Sequence, residues 1–417
     1  MEETPRNLRI MLAEAKDTSE LMVDLAYASV YFGDPDMAEE VDGLEQRMSD
    51  LIHDMRAVCV LSARRSKEAE GMSSVLQVIS AIERIANDAV DIARIVTHKL
   101  GIPQQLVADL SDAEEVSHRV SVSEGSHMAN RLLSFLELPV QAGMRVMSIR
   151  RGNEWIIDVG GETVLIPGDV LFLRGSPDGI TRLRELAAAP IWEPPKPQNK
   201  DALTDLDRAV DVLVEMKNLS EAAVGLAYSA LVLADRGLAS EVRHLEDRLD
   251  EMKDHLELWV LRSALSDVEL EELRGLLHLA EAAEDIGDQA QAMVWLVEKE
   301  EELHPILGIA LGEADEVVVR YPVATGSSAD NVSLSELGLN IEPGFTVLAI
   351  RRGGGYLYRP RGKAHLSSGD EIIASGPEEG QALLARLCGW NLVQDDEGKD
   401  EVIPRREWQT IRHRLRL

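Results

Sequence analysis

SELMVDLAYASVYFGDPDMAEEVDGLEQRM, residues 19–48, runs without a gap alongside SEAAVGLAYSALVLADRGLASEVRHLEDRL, residues 220–249. Ser19 falls on Ser220, and the offset of 201 residues then holds outward in both directions. It pairs Glu83 with Glu284, Arg119 with Arg320, Asn130 with Asn331 and Gly143 with Gly344. Ile149-Arg150-Arg151-Gly152 falls on Ile350-Arg351-Arg352-Gly353, and Gly168-Asp169 on Gly369-Asp370. Chance does not hold one register over so long a stretch, so the chain is a tandem duplication.

Each copy has two parts. Apolar residues at spacings of three and four predict three helices in residues 1–104. The first stops near Gly33-Asp34-Pro35, the second carries the stripe Val41, Leu44, Met48, Leu51, Ile52, Met55, and the third starts after Gly71 and ends at Gly101-Ile102-Pro103. Stripes that wide need partners, so an antiparallel three-helix bundle is expected. Over 112–190 the period shortens to Val- and Ile-rich runs (VSHRVSV, RVMSIRR, EWIIDV, VLFLRG) around one short helix, NRLLSFLEL, with a last helix at ITRLRELAA. A linker with three prolines follows at 191–200. The second copy then gives a bundle at 201–305, a small domain at 313–390 and a polar tail at 391–417, read as poorly ordered or, as the alternative, a short docking segment. The predicted class is α+β: two tandem units, each an antiparallel three-helix bundle followed by a small α+β domain. A sheet that small exposes an edge or a face, so pairing with another copy is expected.

Composition narrows the function. The 417 residues carry a net charge of −31, and only 10 of the 43 basic residues are Lys. Nucleic acid and anionic lipid are therefore excluded as expected partners. An acidic, Lys-poor chain resembles proteins that work in concentrated salt, where self-repulsion is screened. No apolar run is long enough to span a bilayer and no secretory leader is visible. Cys59 and Cys388 lie far apart, with no CxxC or HExxH motif, which fits a reduced cytoplasm.

IERIANDAVDIAR at 82–94 and its counterpart EDIGDQAQAM at 284–293 resemble the helical motif of the PhoU family. LSELGLNIEPGFTVLAIRRGG (334–354) with SSGDEIIASG (367–376), and FLELPVQAGMRVMSIRRG (135–152) with PGDVLFLRG (167–175), resemble the TrkA C-terminal domain, also called RCK-C. The resemblance implies the order PhoU, TrkA-C, PhoU, TrkA-C, as in archaeal, haloarchaeal-like regulators of potassium or other cation transport. It also implies contact from the cytosol with a membrane cation transporter or channel. No GxGxxG follows a strand, so a dinucleotide site is not expected.

Two residue sets are candidates for function, and neither is catalytic. PhoU proteins use Glu-x-x-x-Asp pairs for metal, which puts forward Glu284 and Asp288 with Glu281, and Glu83 in the first copy, where Asn87 replaces the Asp. The alternative is a solvated acidic face. In the TrkA-C domains the doublets Arg150-Arg151 and Arg351-Arg352 offer guanidinium groups suited to phosphate. Some similar domains bind cyclic di-AMP across a domain pair, with Val122, Ile149, Val323 and Ile350 as apolar walls and Asn130 and Asn331 as polar contacts. The alternative is that these arginines bridge to neighbouring carboxylates. No general acid, base and nucleophile stand in a readable arrangement, so an enzyme is not expected and no cofactor is required. A homodimer binding a small nucleotide is the expected state.

Overall fold

A computed structural model describes residues 7–62, 66–110, 113–152, 154–157, 159–193, 204–265, 269–299, 303–312, 314–394 and 400–404. Helix α1 (Leu8–Phe32) starts at Asn7, whose side chain accepts the Arg9 N–H, and stops at Gly33 in the left-handed conformation. After α2 (Pro35–Ser62) and α3 (Ser66–Thr97) comes the short α4 (Gln104–Asp109). The buried stripes are those read from the period: Met11, Leu12, Met22 and Leu25 on α1, Val41, Met48, Ile52 and Met55 on α2, and Val75, Ile79, Ile82 and Ile92 on α3. Full burial of each such side chain contributes about 1.5–3 kcal/mol, so bundle packing rather than helix propensity holds these elements.

One expectation needs correction. Gly71 does not start the third helix; it lies inside α3. A Cβ there would meet the His304 ring of the second copy at 3.0 Å, so this glycine serves close packing rather than helix termination.

The small domain of the first copy has β1 (Val116–Ser121), β2 (Arg131–Leu132), α5 (Leu133–Leu136), α6 (Leu138–Ala142), β3 (Met144–Arg151), β4 (Glu154–Ile156), β5 (Val164–Leu165), β6 (Val170–Gly175) and α7 (Ile180–Leu186). The run expected as one short helix is thus a strand and two helical turns, broken at Glu137 in the left-handed region. The main sheet is antiparallel in the order β1-β6-β3-β4, with β2 and β5 as a separate ribbon.

The second copy repeats this: α8 (Asp205–Leu233), α9 (Arg236–Ser263), α10 (Leu270–Glu298), α11 (Pro305–Leu311), β7 (Glu316–Pro322), α12 (Leu334–Leu337), β8 (Thr346–Arg352), β9 (Gly355–Tyr358), β10 (Glu371–Pro377) and α13 (Gln381–Leu387), with sheet order β7-β10-β8-β9. It then adds a hairpin, β11 (Trp390–Gln394) with β12 (Asp400–Pro404). The stretch expected as a structureless tail therefore contains a ribbon, anchored where Trp390 Nε1 donates to the Pro322 carbonyl at 2.5 Å. The rest of that tail, 395–399 and 405–417, and linker residues 194–200 lie outside the described residues.

The copies are fused by packing. α3 lies on α10, α11 on α1 and, reciprocally, α4 on α8, so one apolar core runs through both bundles. Each small sheet has a bulge, between Val146 and Ser148 and between Ala349 and Val347 opposite Ile373/Ala374. The extra residues, Met147 and Leu348, join the helical core, which is how each sheet is seated on its bundle.

Candidate functional site

The two small domains meet within one chain. Gly143 has φ +58° and Gly344 φ +83°. A Cβ on Gly143 would lie 2.0 Å from the Asn340 carbonyl oxygen, and one on Gly344 would lie 2.1 Å from that of Pro139. Only glycine permits this reciprocal approach of backbones. Asn340 Nδ2 donates to Ser176 Oγ at 2.7 Å across the same seam, and Arg145 pairs with Asp315.

Beneath the seam lies a cavity of about 1400 Å³, bounded by both small domains and by α1 and α8. Its walls are built from equivalent residues of the two copies: Ser134 with Ser335, Val140 with Ile341, Val146 with Val347, and Glu20 with Glu221. The cavity therefore straddles a pseudo-two-fold axis.

A charged cluster forms its floor. Lys16 donates to Glu20 at 2.8 Å, and Lys217 to Glu221 at 2.8 Å. Each ammonium lies over a tyrosine of the other copy, Lys16 over Tyr228 at 5.1 Å and Lys217 over Tyr27 at 5.3 Å. Here the symmetry breaks. Arg174, which bonds Asp24 and reaches Glu115 at 2.5 Å and Glu221 at 3.6 Å, is matched in the second copy by Ser375, and Asp24 by Gly225.

Burial pushes the carboxyls of Asp17 and Asp24 up to about 7, although Lys16 and Arg174 respectively oppose it. Burial also raises Glu115. Glu221 and Glu316 fall below their ordinary values because cations overcome the burial: Lys217 and Arg174 for the first, Arg145 and Lys16 for the second. The floor is thus short of positive charge and keeps its protons to higher pH than ordinary carboxyls do.

The arginine doublets lie elsewhere. Arg151 makes a two-pronged contact with buried Asp169, at 2.9 and 2.8 Å, and donates to the Val164 carbonyl at 2.8 Å. Arg352 repeats this on Asp370 at 2.7 and 2.5 Å and on the His365 carbonyl at 2.8 Å. Arg150 stands 3.9 Å from Asp34, after the end of α1, and Arg351 pairs with Glu371 at 2.9 Å. Through Glu371 and Arg320, Arg351 belongs to the α8–α9 turn at Asp235.

The Lys–Tyr pairs show that α1 and α8 cross antiparallel, so these two turns are roughly 35 Å apart at 1.5 Å per helical residue. The structure does not bring Arg150 and Arg351 together within one chain. Val122, Ile149, Val323 and Ile350 are in the cores of the small domains. Asn130 and Asn331 hold left-handed turns, with φ of 59° and 64°.

The acidic helix faces are partnered from the neighbouring helix. Arg56 holds Glu83 at 2.5 Å, and Lys253 holds Glu284 at 2.7 Å. Asp288 lies against Glu246, whose carboxyl burial raises to about 7. Glu281 is exposed. Among the described residues no group of three or more His, Cys, Asp or Glu is arranged to hold a metal ion.

Reading the sequence for phosphate and metal chemistry passed over Lys16, Lys217, Arg145 and Arg174. A signal was present: Lys16 and Lys217 are the one lysine pair in this Lys-poor chain that recurs at the 201-residue offset, each with a Glu four residues on.

The family model for the PhoU domain matches residues 12–96 and 213–296, and that for the TrkA-C domain matches 118–188 and 318–389. The chain alternates PhoU and TrkA-C domains. The seam therefore joins its two TrkA-C domains, and the floor is formed by its PhoU-like helices together with Arg174 of the first TrkA-C domain. Among solved structures, PhoU from Pseudomonas aeruginosa is 14% identical over 70% of this chain and 93% of its own, with a TM-score of 0.38. The phosphate transport system regulatory protein PhoU from Streptococcus pneumoniae is 10% identical over 70% and 94%, also at 0.38. The GsuK channel bound to NAD is 14% identical over 76% of this chain and 65% of its own, at 0.18. No match to a curated protein was found. Among the described residues no helix is long and apolar enough to cross a membrane.

Proposed function

We propose that this chain is a non-catalytic regulator of potassium or other cation transport. It reads a diffusible signal at the seam between its TrkA-C domains and contacts a membrane transporter from the cytoplasm. The observation that carries this reading is the seam itself: two duplicated domains in direct contact over a cavity lined by equivalent residues of both. A ligand with its own two-fold symmetry fits such an axis, and the effector we put first is cyclic di-AMP, a two-fold bisphosphate.

The guanidinium groups on the cavity walls are Arg145, Arg174, Arg359 and Arg361, beside that of Arg47 on α2. Carboxylates outnumber them there. A phosphate must therefore take Arg174 from Asp24, or Arg145 from Asp315, and burial, which pushes the Asp24 carboxyl up to about 7, lets it take up a proton more readily than an ordinary aspartate once Arg174 is withdrawn. That exchange would alter the floor on which both bundles rest, giving the ligand different affinities for two arrangements of the chain. The strongly acidic, Lys-poor surface suits a cytoplasm rich in salt, and the working state is a homodimer.

Titration calorimetry of the full chain with cyclic di-AMP tests this. Heat that disappears in Arg145→Ala/Arg174→Ala is the expected result. Loss in Arg150→Ala/Arg351→Ala instead would move the site to contacts between chains. No heat at high micromolar nucleotide would overturn the effector assignment.

A second reading, a PhoU-like metal-binding adaptor in phosphate signalling, rests on the match of the PhoU family model to residues 213–296, which takes in Glu284 and Asp288 one helical turn apart on α10. Elemental analysis of protein purified without chelator would support it if stoichiometric metal were lost in Asp288→Ala.

A further inference from the structure

The two TrkA-C domains fold alike but differ on one face. In the first, Leu132, Phe135, Val164 and Ile166 are 37%, 61%, 43% and 37% exposed. Leu132 is the cross-strand partner of Val164 on the β2–β5 ribbon. Ile166 lies two residues beyond Val164 on the same side, and Phe135 lies one helical turn from Leu132, so the four side chains share one face. At the 201-residue offset the second domain has Ser333, Glu336, His365 and Ser367.

There the polar residues have a local role. The Ser333 hydroxyl accepts the Glu336 N–H, and the Glu336 carboxylate accepts the Ser333 N–H at 3.0 Å, a reciprocal cap on α12. In the first domain Leu132 occupies that N-cap position and makes no capping bond. The first domain thus forgoes a helix cap and exposes apolar surface in a fold that, on the evidence of its twin, requires neither.

We infer that this face is the contact through which a second copy of the chain binds. Three features select that occupant. The face occurs once per chain, so a self-complementary contact joins two molecules about a two-fold axis and stops, whereas the same face on both domains would propagate into open arrays. Arg151 beside the face is already neutralised by Asp169, and the charged residues flanking the four in sequence are then Arg131, Glu137 and Glu162, a small excess of negative charge on a chain of net charge −31. Two copies therefore meet there with less repulsion than their acidic surfaces would give elsewhere, and there is no Lys/Arg cluster to draw the face to anionic lipid. Finally, Arg131 lies 4.8 Å over the Phe135 ring. That is an aromatic and a guanidinium placed together, the pair of residue types that interface centres favour. The apolar face is the centre of such an interface, and the surrounding polar rim completes it.

The inference deepens the homodimer part of the proposed function and does not depend on the effector. It is tested by light scattering and sedimentation velocity on the intact chain at micromolar concentration. Wild type is expected to be a dimer. Leu132→Ser/Phe135→Glu installs the cap with which the second domain already folds. It should weaken the dimer by about tenfold or more while the melting temperature holds or rises. Val164→His/Ile166→Ser should do the same from the other strand. A wild-type chain that is monomeric throughout overturns the proposal, as does binding of a monomer to phosphatidylglycerol vesicles through Phe135. Variants that stay as dimeric as wild type overturn the assigned surface while leaving a homodimer standing. Cyclic di-AMP heat unchanged in the monomeric variant keeps the seam reading separate from this one.

Discussion

Lys16 and Tyr228 belong to different copies of the duplication, yet the ammonium lies 5.1 Å from the centre of the tyrosine ring. Lys217 and Tyr27 repeat the arrangement at 5.3 Å. The paired lysines are 3% and 7% exposed, so each is a buried cation compensated by its own Glu and by a ring from the opposite helix. Sequence duplication has become structural interdependence, because neither copy can bury its lysine in this way without the other.

Lys16→Met tests that dependence. It leaves Glu20 partly buried with its cation removed, and breaking a buried pair of this kind costs about 3–5 kcal/mol. Glu20 keeps some solvent contact, so the lower end is expected. Lys16→Met/Glu20→Leu should recover most of the loss, because a well-packed apolar pair replaces a buried ionic one at little cost. Chemical denaturation midpoints of the three proteins would decide it; a Lys16→Met chain as stable as wild type would remove the pair from the account.

The floor of the cavity also sets a pH dependence. Asp17 and Asp24 stand at about 7 in the folded chain against 3.8 ordinarily, so the native state binds more protons than the unfolded state between those values. Their contribution is full below about pH 4 and is lost as pH rises through 7, with a slope of up to about 1.4 kcal/mol per pH unit for each group. Asp88, raised to about 8 by burial and by Asp285 opposite, and Glu246 add in the same direction. Glu221 and Glu316 act oppositely, losing their contribution as pH falls below the ordinary Glu range. Thermal melts should therefore peak at mildly acidic pH and decline toward pH 8. Asp24→Asn should flatten the decline; an unchanged slope would show that Asp24 is not one of the carboxyls responsible.

Much of this was legible because the relevant physics is local. A period of three to four residues wrote the helical stripes, and Gly33-Asp34-Pro35 marked the end of α1 because a left-handed glycine ends a helix. What sequence could not give was distance across the fold. Gly71 looks like a helix breaker until His304 of the other copy is seen against it. Arg151 looks available for phosphate, although its partner Asp169 was visible in the Gly-Asp motif 18 residues on. The seam charges were harder still, since an acidic chain offers many carboxylates to any lysine, and only recurrence at the duplication offset singled out Lys16 and Lys217.

The glycines at the seam predict how closely the TrkA-C domains must approach. Gly143→Ala adds a methyl that would lie 2.0 Å from the Asn340 carbonyl oxygen, in addition to the roughly 1–2 kcal/mol cost of a left-handed alanine. Gly125→Ala isolates the second term, because Gly125 has φ +77° and nothing within 4 Å of a new Cβ. Gly143→Ala should lower the melting temperature clearly more than Gly125→Ala, and it should open the seam, measured as faster disulfide exchange of a Ser176→Cys/Asn340→Cys pair. Equal effects of the two substitutions would mean that the domains are not pressed together at this point.

The arginine doublets separate into two roles that stability measurements can tell apart. Arg151 and Arg352 clamp Asp169 and Asp370, which are 1% and 2% exposed and also accept the N–H of Ile166 and Ser367. Removing either arginine strands a buried carboxylate, a loss of about 1–3 kcal/mol even after allowing for the partial exposure of the guanidinium. Arg150, a third exposed and 3.9 Å from Asp34, should cost under about 1 kcal/mol, and Arg351, whose pair with Glu371 lies at the surface and is screened by solvent, should cost little. Urea unfolding of the four single alanine variants should therefore group Arg151→Ala with Arg352→Ala as the damaging pair. If Arg150→Ala and Arg351→Ala proved equally damaging, those arginines would belong to the scaffold as well, and neither member of the doublet would be left to meet a ligand.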